Sequence, residues 1–493
     1  MKFTPSSRVY MLGTILSVAM TICSLKFSRT GEPSFVIPLL VAGIAYLLAI
    51  REFFSTPTFP RAVVAVGLVL AALWHVQFLR VPSGPDDDIR RYLWDGRLQR
   101  LGYNPYLVVP SDPAVSGLHT AETRNLNNPN VPSLYPAGAQ WFFRAVTAIH
   151  ESVFALKVAF VVCDFAVIIV LLDVLRRDEQ ASQRARMHAA TQERNGTHQG
   201  GATNGLPPLR VRSSKTHLVL AYAWSPLLAI EAAGSGHVDV VGALLLLVSF
   251  AALGRRWRAT AAVAFGLAVA VKLLPIVLLP VYWKRVRMRD AVLAAAVVGL
   301  LYVPFLNQGR IPIGSLLTYV QTFRFNDLVF AMLERVVPQI AAGLPVVVGF
   351  LTATWLAWQP GGTWSTLARS CQAPPSALPG DRSEESMAPE CSPDVFAWPM
   401  AASLLCAPTV YPWYLLWLLP FLRSTSTLPI IIWTVSIIPT YVVWHLRTLG
   451  RPWLVPGWIM LLEYGSVATA GVIIVLRRHT RPAASQYLLD QAG

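Results

Sequence analysis

The most charged stretch of the chain runs from Asp86 to Tyr106 and reads DDDIRRYLWDGRLQRLGYNPY. On a helix with about 100° per residue, one narrow face of this stretch carries Asp88, Tyr92, Asp95 and Gln99. Gly102 is expected to end the helix, and Asn104 with the proline after it to form a turn. An amphipathic helix with a carboxylate face, set between apolar runs, predicts an active-site element that lies on a membrane surface.

Long apolar runs flank this stretch on both sides and determine the fold class. Of the 493 residues, 54% are hydrophobic and only 14% are charged. The runs are about 17–23 residues long, which matches the hydrocarbon thickness of a bilayer at the rise of an α-helix. The sequence therefore predicts an all-α polytopic membrane protein with about 12–14 transmembrane helices. The first long external loop is expected to contain amphipathic surface helices.

The formal net charge of +15 is interpreted as a feature of membrane topology. Lys and Arg cluster in short loops between the apolar runs, as the positive-inside rule requires. No basic-aromatic module accompanies them, so no nucleic-acid partner is expected. The five cysteines show neither CxxC spacing nor a metal-binding pattern.

Placing the basic loops in the cytoplasm divides the chain into segments and puts both termini inside. The segments are N-terminal transmembrane helices (1–80), an external loop with amphipathic helices and the acidic motif (81–151), a transmembrane helix (152–175), a basic disordered cytoplasmic loop (176–215), a transmembrane core with donor-binding elements (216–358), a cytoplasmic loop (359–394), C-terminal transmembrane helices (395–476) and a cytoplasmic tail (477–493). The unexplained polar clusters then fall on the extracytoplasmic side.

Residues 259–283 predict a re-entrant pair of half-helices that turns near Lys272. Basic clusters flank both ends, so both ends should be cytoplasmic, and irregular backbone at depth is tolerated where it lines a cavity. Lys272 lies about a dozen residues from either basic flank, too far to reach a headgroup. An ammonium at this depth predicts a phosphate ligand, or a salt bridge to Asp239 or Glu231.

The adjacent carboxylates of Asp86, Asp87 and Asp88 are candidates for a general base. Neighbouring carboxylates and a low-dielectric wall raise proton affinity, and a base must accept a proton from its substrate. Asp88 is preferred because it shares a helix face with Tyr92 and Asp95, and Asp87 is second. The alternatives are acids that cap a helix N-terminus and a metal site completed by other segments.

Three later clusters are candidates for binding. The first cluster is Glu231 with the turn from Gly234 to Asp239. His237 of this turn follows two glycines that permit close backbone approach, which favours sugar or phosphate binding over a structural histidine. The segments Arg324-Phe-Asn326-Asp327 and Tyr411-Pro-Trp413-Tyr414 predict either an interfacial aromatic belt or rings that stack on sugars. No nucleotide-binding motif is present, so an external enzyme would need a donor presented in the membrane.

Several of these motifs resemble those of bacterial GT-C membrane glycosyltransferases, most closely the polyprenyl-phosphate-mannose-dependent mannosyltransferase-like proteins. The first-loop motifs are Asp87-Asp88-Ile-Arg-Arg-Tyr92-Leu-Trp-Asp95-Gly-Arg97, Gly102-Tyr-Asn104-Pro-Tyr106 and Leu134-Tyr135-Pro136. Later motifs follow in the same order, namely Trp224-Ser-Pro226, Glu231, Gly236-His237-Val-Asp239, Lys272-Leu-Leu-Pro275, Pro304-Phe305, Phe325-Asn326 and Pro412-Trp413-Tyr414. The resemblance covers most of residues 80–420, although Arg90 stands where the family usually has an aromatic residue.

The resemblance implies a GT-C fold and an inverting, metal-independent transfer of a monosaccharide, expected to be mannose, from a polyprenyl-phosphate donor. The catalytic candidates are Asp88, Asp87 and Asp95, and the donor or phosphate ligands are Lys272, His237, Arg97 and Arg324. The sugar or acceptor ligands are Asp86, Tyr92, Asn104, Tyr135, Glu231, Asp239, Asn326, Asp327, Trp413 and Tyr414. No cofactor is expected.

The expected partners are the polyprenyl-phosphate-sugar lipid, a glycan or glycolipid acceptor, and membrane lipids. The expected location is the bacterial cytoplasmic membrane, with the active site outside. The alternative functions are a multi-pass secondary transporter and a lipid-linked-sugar flippase.

Overall fold

A computed structural model describes residues 3–84, 88–197, 215–309, 311–358 and 392–479. Within these ranges, eight helices are long and apolar enough to cross a membrane. The bent pair Thr216–Ala223 and Pro226–Ser235 would make a ninth span, and three further apolar helices have 10–17 residues. The prediction of an all-α polytopic membrane protein is confirmed.

The helices are numbered here in chain order. They are α1 (Pro5–Leu25), α2 (Pro33–Ser55), α3 (Arg61–Leu79), α4 (Asp88–Arg100), α5 (Ala137–Ile149), α6 (Val153–Thr197), α7 (Thr216–Ala223), α8 (Pro226–Ser235), α9 (Asp239–Gly254), α10 (Arg258–Val271), α11 (Leu279–Tyr282), α12 (Met288–Tyr302), α13 (Leu316–Thr322), α14 (Leu328–Val336), α15 (Leu344–Trp358), α16 (Asp394–Leu405), α17 (Leu428–Ser436), α18 (Val442–Thr448) and α19 (Gly457–His479).

The helix bundle has two ends that polar contacts identify. His217 Nε2 lies 2.9 Å from the Phe53 carbonyl oxygen, so α7 begins beside the end of α2. From there α7 and α8 lead to Asp239, and α9 returns to Arg255, whose guanidinium pairs with Asp173 of α6. We call the end with Arg255 the basic end and the end with Asp239 the site end.

The break predicted near Lys272 is confirmed. α10 ends just before Lys272, whose backbone is extended, and a 3-10 turn at Leu274–Leu278 and the short α11 follow. Pro275 lacks the backbone donor that a continuous helix would need. Arg258 and Arg287 line one cleft, so the chain enters and leaves this re-entrant pair at the basic end.

A second hairpin, formed by α16 and the 3-10 turns after it, also starts and finishes at the basic end. Ser424 Oγ donates to Asp394 Oδ1 at 2.9 Å, and Arg423 Nη1 lies 3.1 Å from Asp178 Oδ2 on α6. Its tip carries the 3-10 turn Pro412–Trp417. The aromatic tip of this second hairpin reaches the site end, where Trp413 stacks on His237.

Two sequence predictions are wrong in detail. α4 does not lie on the surface: Tyr92, Trp94 and Asp95 are all buried, because α5 packs on one side and the loop after α4 folds over the other. The segment predicted as a disordered loop from residue 176 is helical as far as Thr197, since α6 continues beyond its apolar part. Asp86, Asp87 and residues 198–214, 359–391 and 480–493 lie outside the described residues.

Candidate functional site

The position of α4 follows from aromatic packing on both of its flanks. The Tyr92 ring stacks on Phe143 of α5 with 4.4 Å between centroids. Trp94 stacks on His119 of the following loop at 4.0 Å. The predicted stop is confirmed, since Gly102 has a φ of +85°. Asp88, the first residue of α4, is thereby held at the site end.

Asp95 lies inside this packing and ties α4 to its surroundings. Its Oδ1 accepts from Arg91 Nε at 3.1 Å, and its Oδ2 accepts from Gln140 Nε2 at 2.9 Å and from Ser133 Oγ. Burial raises the pKa of the Asp95 carboxyl, and these donors oppose that shift. All of these partners are side chains of the protein, so Asp95 is placed to hold α4 in position.

Asp88 belongs to an array of alternating acid and imidazole groups. Its Oδ1 accepts from Asn127 Nδ2 at 2.7 Å, and its Oδ2 lies 3.9 Å from His237 Nδ1. On the far side of the ring, His237 Nε2 lies 3.1 Å from Glu231 Oε2. His237 and Glu231 are fully buried, whereas the Asp88 side chain is 20% exposed. Asp88 is therefore the accessible member of the array.

Aromatic rings fix the orientation of His237. Its imidazole stacks on Trp413 with 4.0 Å between centroids and 8° between planes. Trp413 in turn stacks on Tyr411 at 4.3 Å, and Tyr411 on Phe325 at 4.3 Å. This stack joins the turn before α9 to the tip of the second hairpin. Trp413 is itself buried, so its face is occupied by His237.

Lys272 brings a positive charge to the same end. Its Nζ lies 2.7 Å from Asp239 Oδ1 and 3.6 Å from the centroid of the Tyr414 ring. Trp417 Nε1 donates to the same Asp239 oxygen at 2.7 Å. The predicted salt bridge to Asp239 is confirmed. Lys272 interacts electrostatically with Asp88 as well, and its side chain is 24% exposed.

A narrow cleft opens beside Asp88. It is lined by polar groups from α4, the loop before α5 and the start of α13, among them Asn127, Tyr135, Ser315 and Thr318. Burial raises the pKa of the Tyr135 phenol well above its usual value, so this hydroxyl is neutral. The cleft thus offers amides and hydroxyls, the groups that hydrogen-bond sugars.

Other predicted site residues make contacts elsewhere. Arg97 Nε donates to the Leu118 carbonyl at 2.8 Å, and its guanidinium pairs with Glu151. Arg324 Nη2 lies 2.8 Å from Glu334. These two arginines join the loop and helices around the site.

Asn104 and Asn326 act as anchors. Asn104 Nδ2 donates to the Phe305 carbonyl at 2.8 Å, which ties the turn after α4 to the end of α12. Asn326, with a φ of +52°, donates from Nδ2 to Glu463 Oε1 of α19 at 2.9 Å. Asp327 follows at the start of α14, and burial raises the pKa of its carboxyl.

Three contributors to the site were not predicted: Asn127, Trp417 and Tyr319, whose hydroxyl hydrogen-bonds that of Tyr414. Asn127 lies in an Asn/Pro-rich loop and Trp417 in an apolar run, so neither carries a pattern of its own. Among the described residues, no group of three or more His, Cys, Asp or Glu side chains is arranged to hold a metal ion. The metal-independent mechanism stays a prediction.

The fold and the site define a multi-pass membrane protein with an acid–imidazole–acid array and a lysine at one end of its bundle. Residues 134–310, roughly a third of the chain, match the family model described as PIG-U: GPI transamidase subunit PIG-U. The matched region contains Tyr135, His237 and Lys272 but begins after Asp88. No match was found among curated proteins or among solved structures.

Proposed function

We propose that the protein is an integral-membrane glycosyltransferase that moves a monosaccharide, expected to be mannose, from a polyprenyl-phosphate donor to an acceptor hydroxyl. The observation that carries the proposal is the presence of a partly exposed carboxylate, Asp88, and a partly exposed ammonium, Lys272, at the same end of the bundle. Such a transfer needs a base on the acceptor and a positive charge near the leaving phosphate.

In this mechanism the acceptor hydroxyl enters the cleft beside Asp88 and gives its proton to the carboxylate. The acceptor oxygen forms a bond to the anomeric carbon as the bond from that carbon to the phosphate oxygen breaks. Attack opposite the leaving group inverts the anomeric centre. His237, held against buried Glu231, lies 3.9 Å from Asp88 and would need to move closer to hydrogen-bond the protonated acid.

The leaving group is polyprenyl phosphate, which keeps the electron pair of the broken bond. Lys272 would stabilise the charge that develops on its phosphate oxygen. The donor needs no nucleotide supply, which suits a site on the extracytoplasmic face of the membrane. That orientation is favoured by the basic residues that gather at the opposite end of the bundle.

The test is transfer from a radiolabelled polyprenyl-phosphate mannose by purified protein, comparing Asp88→Asn with the wild type. Asparagine cannot accept the acceptor's proton, so transfer should fall about 10²–10⁴-fold. Asp112→Asn is the matched control, because Asp112 is an exposed acid of the same loop. EDTA should have no effect. Normal transfer by Asp88→Asn would refute its role as base.

A second candidate is a non-catalytic subunit of a membrane complex that handles lipid-linked glycans. The match to a GPI transamidase subunit favours this candidate, and the matched residues exclude Asp88. The same assay separates the two. Transfer by the purified chain alone supports the enzyme, whereas absence of transfer with every polyprenyl-phosphate sugar, together with co-purification of a stable partner, supports the subunit.

A further inference from the structure

We propose that a cleft at the basic end binds the phosphate group of an anionic phospholipid. The cleft has a volume of about 360 Å³ and lies between the turn from α9 to α10 and the start of α12. Its charged lining consists of Arg256, Arg258, Arg287, Arg289 and Asp290. It is separate from the proposed sugar-transfer site, and the inference does not depend on that function.

The charges of the cleft do not balance. Asp290 faces four guanidiniums, and its Oδ2 accepts from the Arg287 backbone N–H at 3.4 Å at the start of α12. Arg289 Nε lies 3.7 Å from its Oδ1. By contrast, Arg255 of the same turn pairs with Asp173 outside the cleft. The arginines of the lining therefore hold an excess of positive charge in a concave space, which favours an anion.

The backbone adds to the same preference. α10 and α12 both begin at this cleft, and helix N-termini carry partial positive charge. The guanidiniums bind phosphate through several parallel hydrogen bonds. A phosphate is thus better matched than a carboxylate, which offers fewer oxygens.

The surroundings of the cleft indicate a lipid source for the phosphate. Trp257, between Arg256 and Arg258, and Trp283, four residues before Arg287, are 58% and 61% exposed, as expected of aromatic residues at a membrane interface. On α12, Val292 and Leu293 also face outward from the protein. The headgroup would occupy the cleft and the acyl chains would run along α12, as for basic pockets between transmembrane helices.

The test compares the double variant Arg256→Gln/Arg287→Gln with the control Arg51→Gln/Arg61→Gln, which removes two exposed arginines from the end of α2 and the start of α3 at the same end. Thermal unfolding and native mass spectrometry of detergent-purified protein are followed during titration with phosphatidylglycerol or phosphatidylcholine. Parallel titrations use inorganic phosphate and pyrophosphate. Unfolding without added lipid reports whether each variant is folded.

Phosphatidylglycerol should stabilise the wild type and the control more than phosphatidylcholine does. The double variant should bind phosphatidylglycerol at least about tenfold more weakly, since each basic contact contributes roughly a factor of ten or less to the affinity. Equal losses in the double variant and the control would overturn the proposal, since diffuse surface charge would then explain binding. Stabilisation by inorganic phosphate with no preference for phosphatidylglycerol would also overturn it, in favour of a soluble anion.

Discussion

Lys272 has two protein partners, the Asp239 carboxylate and the face of Tyr414, yet a quarter of its side chain stays open. If its ammonium stabilises the leaving phosphate, Lys272→Met should lower kcat/KM for the lipid donor about 10²-fold, and Lys272→Arg should retain most of it. The measurement is transfer rate against donor concentration in detergent.

A purely structural role for Lys272 predicts a different result. Removing one partner of a buried ion pair destabilises a protein by about 3–5 kcal/mol, and Trp417 alone would then support Asp239. The variant Lys272→Met/Asp239→Leu restores a neutral interior. If this double variant recovers both the unfolding temperature and the transfer rate, Lys272 does not act on the donor.

Gly236 sets the distance between the His237 turn and α4. Its φ of +80° is unfavourable for other residues, and a Cβ there would collide with Ile89 Cδ1. We expect Gly236→Ala to destabilise the protein by about 1–3 kcal/mol and to reduce transfer, because α4 must shift. Gly254→Ala is the control, since its Cβ would meet no atom within 4 Å. Equal unfolding temperatures for the two variants would contradict this.

At the residue scale, the sequence predicted those features that depend on position along a helix or on depth in the membrane. Lys272 was expected to bind phosphate or to pair with Asp239 or Glu231, and it pairs with Asp239. Asp95 was expected to share the catalytic face with Asp88, but it is enclosed by Ser133 and Gln140. Helical periodicity gives the direction of a side chain, and it cannot show which distant segment will cover it.

Among the elements, α3, α6 and α7 are joined by a buried polar triad. His75 Nδ1 lies 2.8 Å from the Ala71 carbonyl, so this nitrogen carries a hydrogen. His75 Nε2 lies 2.8 Å from Asp164 Oδ2, and the Tyr222 hydroxyl donates to Asp164 Oδ1 at 2.5 Å. All three side chains are buried. The acid thus has His75 close to one oxygen and a donated hydrogen bond from Tyr222 on the other, within the apolar bundle.

We expect His75→Leu to destabilise the protein by about 3–5 kcal/mol, because Asp164 would remain buried without its partner. The double variant His75→Leu/Asp164→Leu should recover most of that loss, since the interior becomes apolar. Thermal unfolding of His75→Leu, of Asp164→Leu and of the double variant gives the coupling free energy between the two residues. Additive losses would show that the two side chains do not stabilise each other.

At the element scale, continuous apolar runs predicted most helices, and the basic clusters that flank residues 259–283 predicted the break at Lys272. No comparable signal marked the extension of α6 to Thr197, because the polar residues there were interpreted as a loop. The triad was missed as well. Its signal in the sequence was the presence of a histidine and an aspartate, His75 and Asp164, within apolar runs. Ionisable groups in such runs usually pair or serve a function.

For the whole molecule, the two ends of the bundle differ in chemistry. The site end carries Asp88, His237 and Lys272, while the basic end carries the arginine cleft and the pair of Arg255 with Asp173. The distribution of Lys and Arg among the loops predicted this separation of the polar clusters from the basic residues. The same charge predicts that the basic end faces the cytoplasm, which remains to be measured.

Single cysteines in intact cells measure this orientation. Starting from a variant without the five native cysteines, Ser111→Cys marks the site end and Ser55→Cys marks the basic end, and both serines are exposed. A membrane-impermeant maleimide should label Ser111→Cys in intact cells and Ser55→Cys only after permeabilisation. The cysteine-free parent should not react in either condition.

Each other pattern of labelling has a distinct meaning for the molecule. Labelling of Ser55→Cys alone would place Asp88 and Lys272 in the cytoplasm. Nucleotide-activated sugars are available in the cytoplasm, so the location of the site would no longer favour a lipid-linked donor. Labelling of both cysteines in intact cells would mean that the two ends share one side of the membrane, which is incompatible with α9 connecting Asp239 to Arg255 across the bundle.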